Sequence, residues 1–165
     1  MTPAMRLSFM KGITFGLTSG TITTLGLMVG LSAGTNSRLA VIGGVLTIAI
    51  ADAFSDALGI HISEESNNEQ TSRHVWESTI ATFVAKLIFA STFIVPVILF
   101  PLSVAIPVSI SWGGIMLAYM SYLIAKLNGK KPWQTVVEHL TIATVVILAA
   151  YFVGKVIETK FGSYR

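Results

Sequence analysis

Cysteine is absent from the 165 residues. That excludes disulfides, thiolate metal sites and cysteine redox chemistry, and leaves any metal to oxygen, imidazole or methionine ligands. Charge is scarce too: Asp, Glu, Lys and Arg together make up 12% of the chain, against roughly a quarter in a soluble domain. With 53% hydrophobic residues and a mean hydropathy of +0.74, the composition is that of an integral membrane protein. There is no Gly-rich phosphate loop, no His-Glu-x-x-His and no convincing Ser-His-Asp arrangement, so nothing supports an enzyme. The net charge of +3 calls for no nucleic-acid partner, because short loops on the inner side of a membrane carry Lys and Arg in any case.

The long apolar runs predict an all-α fold of five transmembrane helices in a single membrane domain, 1–165. The spans are about 9–33, 38–62, 76–100, 104–125 and 133–157, with a hydrophilic link at 63–77. Pro96, Pro101 and Pro107 cluster where the third span passes into the fourth and end or kink helices there. Asn128-Gly129 and Lys131-Pro132 are turn chemistry between the fourth and fifth. The first run is read as a span rather than a cleaved signal peptide, since it is long and dense in Thr and Gly. Placing Arg6, Lys11, Arg73, Lys126, Lys130 and Lys131 inside leaves Arg38 alone in an outer loop. The expected topology is therefore a multi-pass protein of the cell (plasma) membrane, N-terminus cytoplasmic and C-terminus outside, although Lys155, Lys160 and Arg165 of the tail oppose it.

Two aspartates stand out inside the second apolar run. Asp52 and Asp56, one turn apart, share a helix face about 6 Å apart along the axis. An ionised carboxylate at mid-bilayer costs roughly 2.5–3.5 kcal/mol on insertion scales. Three readings account for the pair: oxygen ligands for a divalent cation, a proton relay, or a structural pair with a buried base. A base is at hand, because Lys86 lies ~15 Å into the third span, at a depth matching Asp52. An ion pair of Lys86 with either aspartate would reduce the cost of burying all three groups, and Lys86 could equally act as a counter-ion displaced by metal or as part of a proton relay. Glu138, about one turn into the fifth span beside His139, is a further candidate oxygen. At the inner mouth, His61, Glu64, Glu65, Glu69 and His74 form a carboxylate-and-imidazole cluster suited to attracting Fe²⁺, Mn²⁺ or Zn²⁺, or simply to being solvated. Met28, Met116 and Met120 are explained by packing.

The first span carries Gly12, Gly16, Gly20 and then Gly26, Gly30, Gly34 at four-residue spacing. Such strips let helices approach closely, either within one chain or in a homodimer. Between them, Thr18 through Thr24 is rich in hydroxyls, which either bond back to their own helix or line a polar path.

The stretches Gly16–Gly30, Ala51–Ser63, Asn128–Trp133 and Ala149–Gly154 resemble, in order and spacing over nearly the whole chain, the vacuolar iron transporter family, here as a short member. The resemblance implies a five-helix dimeric carrier that moves Fe²⁺ or Mn²⁺ out of the cytoplasm in exchange for protons, its path lined by the first helices at the dimer interface. This chain departs from that pattern. It has Ser19 where the family usually has an intramembrane Asp, Asp56 where it usually has Met, Asp52 for a small residue, and Ile60 for a Glu. The long acidic insert of many relatives is reduced to Ser63–Glu77. The expectation is thus a secondary carrier without a permanent cofactor, embedded in the bilayer as a homodimer through the Gly-rich first span. Asp52 and Asp56 would bind metal or exchange protons, Ser19, Thr23 and Glu138 would add oxygens, and Glu64, Glu65 and Glu69 would attract cation at the cytoplasmic mouth. The competing expectations are a non-transporting scaffold or partner subunit with a structural Asp–Lys86 pair, and a carrier of another cation.

Overall fold

The computed structural model describes residues 3–66 and 71–162, with side chains from Ser8 onward. They form α1 (Pro3–Thr35), α2 (Arg38–Glu65), α3 (Ser72–Thr92), α4 (Ile94–Leu99), α5 (Leu102–Leu127) and α6 (Pro132–Phe161). The helices make five spans, Ser8–Thr35, Arg38–Glu65, Ser72–Leu99, Leu102–Leu127 and Pro132–Phe161. At 1.5 Å per residue each is about 40 Å long, enough to cross the hydrocarbon core and reach into both headgroup layers.

The third span is two helices because of Pro96. Its ring nitrogen offers no hydrogen to Thr92 O, and the last turn of α3 tightens so that Phe93 N–H bonds Ala90 O at 3.2 Å. Much of the hydrophilic link at 63–77 is helical. α2 continues to Glu65 and α3 already begins at Ser72, because the charged residues there are good helix formers and Arg73 pairs with Glu77 one turn on at 3.0 Å. Between α1 and α2 the chain reverses in two residues. Asn36 takes the left-handed conformation (φ 46), and the Ser37 hydroxyl caps α2 by accepting from Ala40 N–H.

α1 is the central helix, packed most extensively against α3 and α6 and also against α2 and α5. Both glycine strips are used inside the chain. A Cβ on Gly16 would lie 2.6 Å from Thr82 O of α3, and one on Gly34 3.1 Å from Gly154 O of α6. The close approach that the strips permit is taken up within the chain by α3 and α6. The other helices are one-sided. On α2, Val41, Val45, Ala49, Ala53 and Ala57 are buried, while Leu46, Ile50, Phe54, Leu58 and Ile62 are exposed along the neighbouring ridge. In a bilayer those exposed apolar ridges meet lipid. A compact cluster of Leu25, Met28, Val41, Val45, Phe93, Val97 and Ala105 fills the Arg38 end of the bundle. There Arg38 ties α2 to the end of α4, its guanidinium donating to Val97 O at 2.6 Å and to Ile98 O.

Candidate functional site

Three helices meet near the middle of the bundle. α2 brings Asp52 and Asp56, α3 brings Lys86, and α1 brings Ser19. Asp52 and Lys86 each lie near the midpoint of their spans, roughly 20 Å from either end. Lys86 reaches this point because Gly20 has no side chain: a Cβ there would sit 3.1 Å from Lys86 Cγ. The lysine stem therefore lies flat along α1, and its side chain is 1% exposed.

The Lys86 ammonium has three protons and three oxygen partners. It donates to Asp56 Oδ2 and, at 2.9 Å, to Ser19 Oγ, and Asp52 Oδ2 lies 2.5 Å from Nζ. The contact to Asp52 is a charge contact without hydrogen-bond alignment, so Asp52 Oδ2 keeps an unfilled lone pair. The sequence left open which aspartate Lys86 meets, and the structure brings it to both. Geometry explains it: the carboxylates one turn apart on α2 straddle the position that Lys86 reaches from α3. With all three groups ionised the cluster carries a charge of −1. The carboxylate side chains are 23% and 19% exposed, so the cluster is closed around the ammonium and open on the aspartate flank.

Chemically this is a cation already held by two carboxylates and a hydroxyl. The same oxygens are a donor set for a hard cation. A divalent ion beside a protonated Lys86 would be repelled, so a metal could take these oxygens only in place of the ammonium.

The remaining predicted residues are distributed differently. Thr23 lies one turn along α1 from Ser19, and its hydroxyl donates to Ser19 O at 2.9 Å. Thr14, Thr18 and Thr21 likewise bond to carbonyls of their own helix, whereas the buried Thr24 hydroxyl has no partner, so the hydroxyl-rich stretch is self-satisfied only in part. Glu138 is exposed on α6, which packs against α1 and α5, and it forms no ion pair or hydrogen bond among the described residues. It is not drawn into the cluster, because depth in a span says nothing of the direction in which a helix faces.

At the Lys11 end, Glu64 pairs with Lys11 at 3.2 Å, leaving its second oxygen buried and without a partner. Glu65 is open to solvent, 4.0 Å from His61 Nε2, and Glu69 lies outside the described residues. His61 is held by its Nδ1 against Thr79 Oγ1 at 3.0 Å. His74 is half-buried. Among the described residues no three His, Asp or Glu side chains converge on a point that would hold a metal. This end of α2 and α3 is acidic, partly neutralised by Lys11 and Arg73, which pair with Glu64 and Glu77. Two contacts escaped the sequence reading. Arg38 on the α4 carbonyls had no signal beyond a lone outer arginine. The His139 Nδ1–Ser121 Oγ contact of 2.7 Å between α6 and α5 was signalled only by a histidine near a helix end.

A five-span helical bundle whose ionised groups at mid-depth are gathered into one cluster defines an integral membrane protein built around a buried polar site. The family description "VIT family" matches residues 60–155, more than half of the chain, and the chain belongs to that family. Membership places it among membrane transporters of metal ions. The matched segment contains Lys86 and Glu138 but not Ser19, Asp52 or Asp56. No curated protein matches the chain.

Proposed function

We propose that the protein is a secondary carrier of a divalent metal, Fe²⁺ or Mn²⁺, which it moves out of the cytoplasm in exchange for protons. The observation that carries this reading is the Lys86 ammonium sitting between Asp52, Asp56 and Ser19 at mid-membrane. Metal binding then has a balanced form. M²⁺ takes the two carboxylates, Lys86 passes from ammonium to amine, and one proton leaves; the total charge is +1 on both sides. The metal-loaded cluster is neutral, which suits passage through a medium of low dielectric. When the metal departs, Lys86 takes up a proton and closes the site again. Metal and proton are coupled because only one cation fits between the two carboxylates. Glu64, Glu65 and Glu69 would draw cation to the mouth at the cytoplasmic end, with Lys11, Arg73, Lys126, Lys130 and Lys131 fixing that end inside the plasma membrane by the positive-inside rule.

The carrier works as a homodimer in this reading. The aspartate flank of the cluster is open, and a carboxylate facing hydrocarbon is strongly unfavourable. A second copy laid against that flank would cover both carboxylates and enclose the path.

The complete set of partners around Lys86 favours one rival reading, a non-transporting scaffold in which the pair only fixes helix packing. Proteoliposomes loaded with a metal-sensitive dye separate the two. The carrier reading expects Fe²⁺ or Mn²⁺ flux driven by a pH gradient and lost in the Asp52→Asn/Asp56→Asn variant. No flux from the unaltered protein, or equal flux from both, supports the scaffold. A panel of competing cations in the same vesicles identifies a carrier of another ion.

A further inference from the structure

A groove between α1 and α5 takes no part in the central cluster. It has a volume of about 530 Å³ and is lined by Ile13 and Thr14 from α1 and by Met120, Leu123, Ile124 and Lys126 from α5. Its walls are apolar except at two places. The Thr14 hydroxyl is satisfied by Met10 O at 2.8 Å, which leaves the Lys126 ammonium as the polar end. Deeper in, beyond Met120, the crevice narrows against Leu17, Thr21 and Met116.

The chain gathers more positive charge at the Lys126 end. Gly129 adopts a positive φ of 66°, and Lys130 N–H donates back to Ala125 O at 2.9 Å. This is the pairing of a Schellman turn, which folds the chain over the end of its helix. Lys130 thus stands directly past the end of α5, and Lys131 follows as the residue that opens α6. All three lysines are exposed, and none forms an ion pair among the described residues. The sequence contains no Asp or Glu between Glu77 and Glu138. Trp133, 65% exposed, stands at the same level, where aromatic side chains anchor in headgroups. The positive-inside rule accounts for the sign of these charges. It does not account for a lysine that lines an apolar groove, with two more on the turn that follows it.

We propose that this groove seats an anionic phospholipid of the leaflet at the lysine end. One acyl chain lies along Ile13, Met120 and Leu123, and the headgroup phosphate meets Lys126 and Lys130. A zwitterionic lipid fits the same apolar groove but brings its own cation against the lysines. Each lysine near a membrane surface favours an anionic partner by about fivefold, so Lys126 and Lys130 together give a preference of about 25-fold.

Native mass spectrometry of the intact protein, delipidated and then titrated with phosphatidylglycerol and phosphatidylcholine of identical chains, tests the assignment. The expected result is tighter retention of phosphatidylglycerol by about 25-fold, equal retention of the two lipids by Lys126→Gln/Lys130→Gln, and weaker retention of both by Leu123→Trp, which fills the groove. Unchanged melting of the lysine variant in phosphatidylcholine shows that its fold is intact. Equal retention by the unaltered protein, or a preference that survives loss of both lysines, overturns the proposal. Competition by inorganic phosphate as effective as that by the lipid also overturns it, since the acyl chain would then contribute nothing.

Discussion

Replacing Lys86 with methionine keeps the side chain's length and removes its charge, which leaves Asp52 and Asp56 facing each other with no cation between them. Breaking a buried ion pair by removing one partner costs about 3–5 kcal/mol. The lower end applies here, because the carboxylates retain 23% and 19% exposure and can recruit water. At about 2–4 °C per kcal/mol for a chain of this size, a loss of about 3 kcal/mol lowers the melting temperature by about 6–12 °C. Metal should reverse the loss. With Lys86 present, a divalent ion at about 4 Å from the ammonium meets a repulsion of about 8 kcal/mol, twice the unit-charge value at an effective dielectric of 20. The Lys86→Met variant has no such repulsion. Mn²⁺ at a hundred times its Kd adds about 2.7 kcal/mol, which recovers about 5–11 °C. The assay is thermal unfolding in lipid nanodiscs with and without Mn²⁺. The expected pattern is a low-melting variant that Mn²⁺ rescues, beside an unaltered protein that responds less. A variant that melts like the unaltered protein, or one whose loss Mn²⁺ does not recover, refutes the reasoning.

Three further outcomes follow from the packing. Gly16→Ala should destabilise by about 1–3 kcal/mol, because its Cβ would meet Thr82 O at 2.6 Å and Lys86 N at 3.1 Å. Gly59→Ala, with nothing within 4 Å of its Cβ, should stabilise by about 1 kcal/mol through helix propensity; equal melting temperatures for the two variants would contradict the strip packing. Arg38→Ala should free the Val97 and Ile98 carbonyls at a cost of about 1.5–3 kcal/mol for hydrogen bonds to a charged group. Hydrogen exchange should then accelerate in α4 and at Phe100 while the Lys11 end is unchanged, and protection unchanged in α4 would count against the clamp. Lys11→Ala should destabilise by about 1–3 kcal/mol, because Glu64 is 12% exposed with its second oxygen already buried and unpartnered, and the substitution removes the lysine that pairs with it. A melting temperature unchanged from that of the unaltered protein would show that the pair is not structural.

The spans were legible because each is a long apolar run, and the interruption of the third was legible in Pro96. The helix ends within the hydrophilic link were not legible, because hydropathy marks where the apolar run stops and not where a helix does: Glu64, Glu65 and Arg73 are polar residues in helices. Depth along a span is countable from its ends, which is how Lys86 and Asp52 were matched. Rotation about the helix axis is not countable in the same way. It decided that Lys86 touches both aspartates, that Glu138 faces outward, and that the glycine strips serve α3 and α6. The Gly20–Lys86 contact joins residues far apart in the chain, and a glycine in a strip shows that something approaches without showing what.

Calorimetric titration of Mn²⁺ into the reconstituted protein, in two buffers of different ionisation enthalpy, counts the protons released as metal binds. Displacement of the Lys86 ammonium predicts about one proton per metal from the unaltered protein, and none from Lys86→Met binding the same ion more tightly. Binding without proton release, or equal release from both proteins, would contradict the claim that Lys86 holds the place of the transported cation.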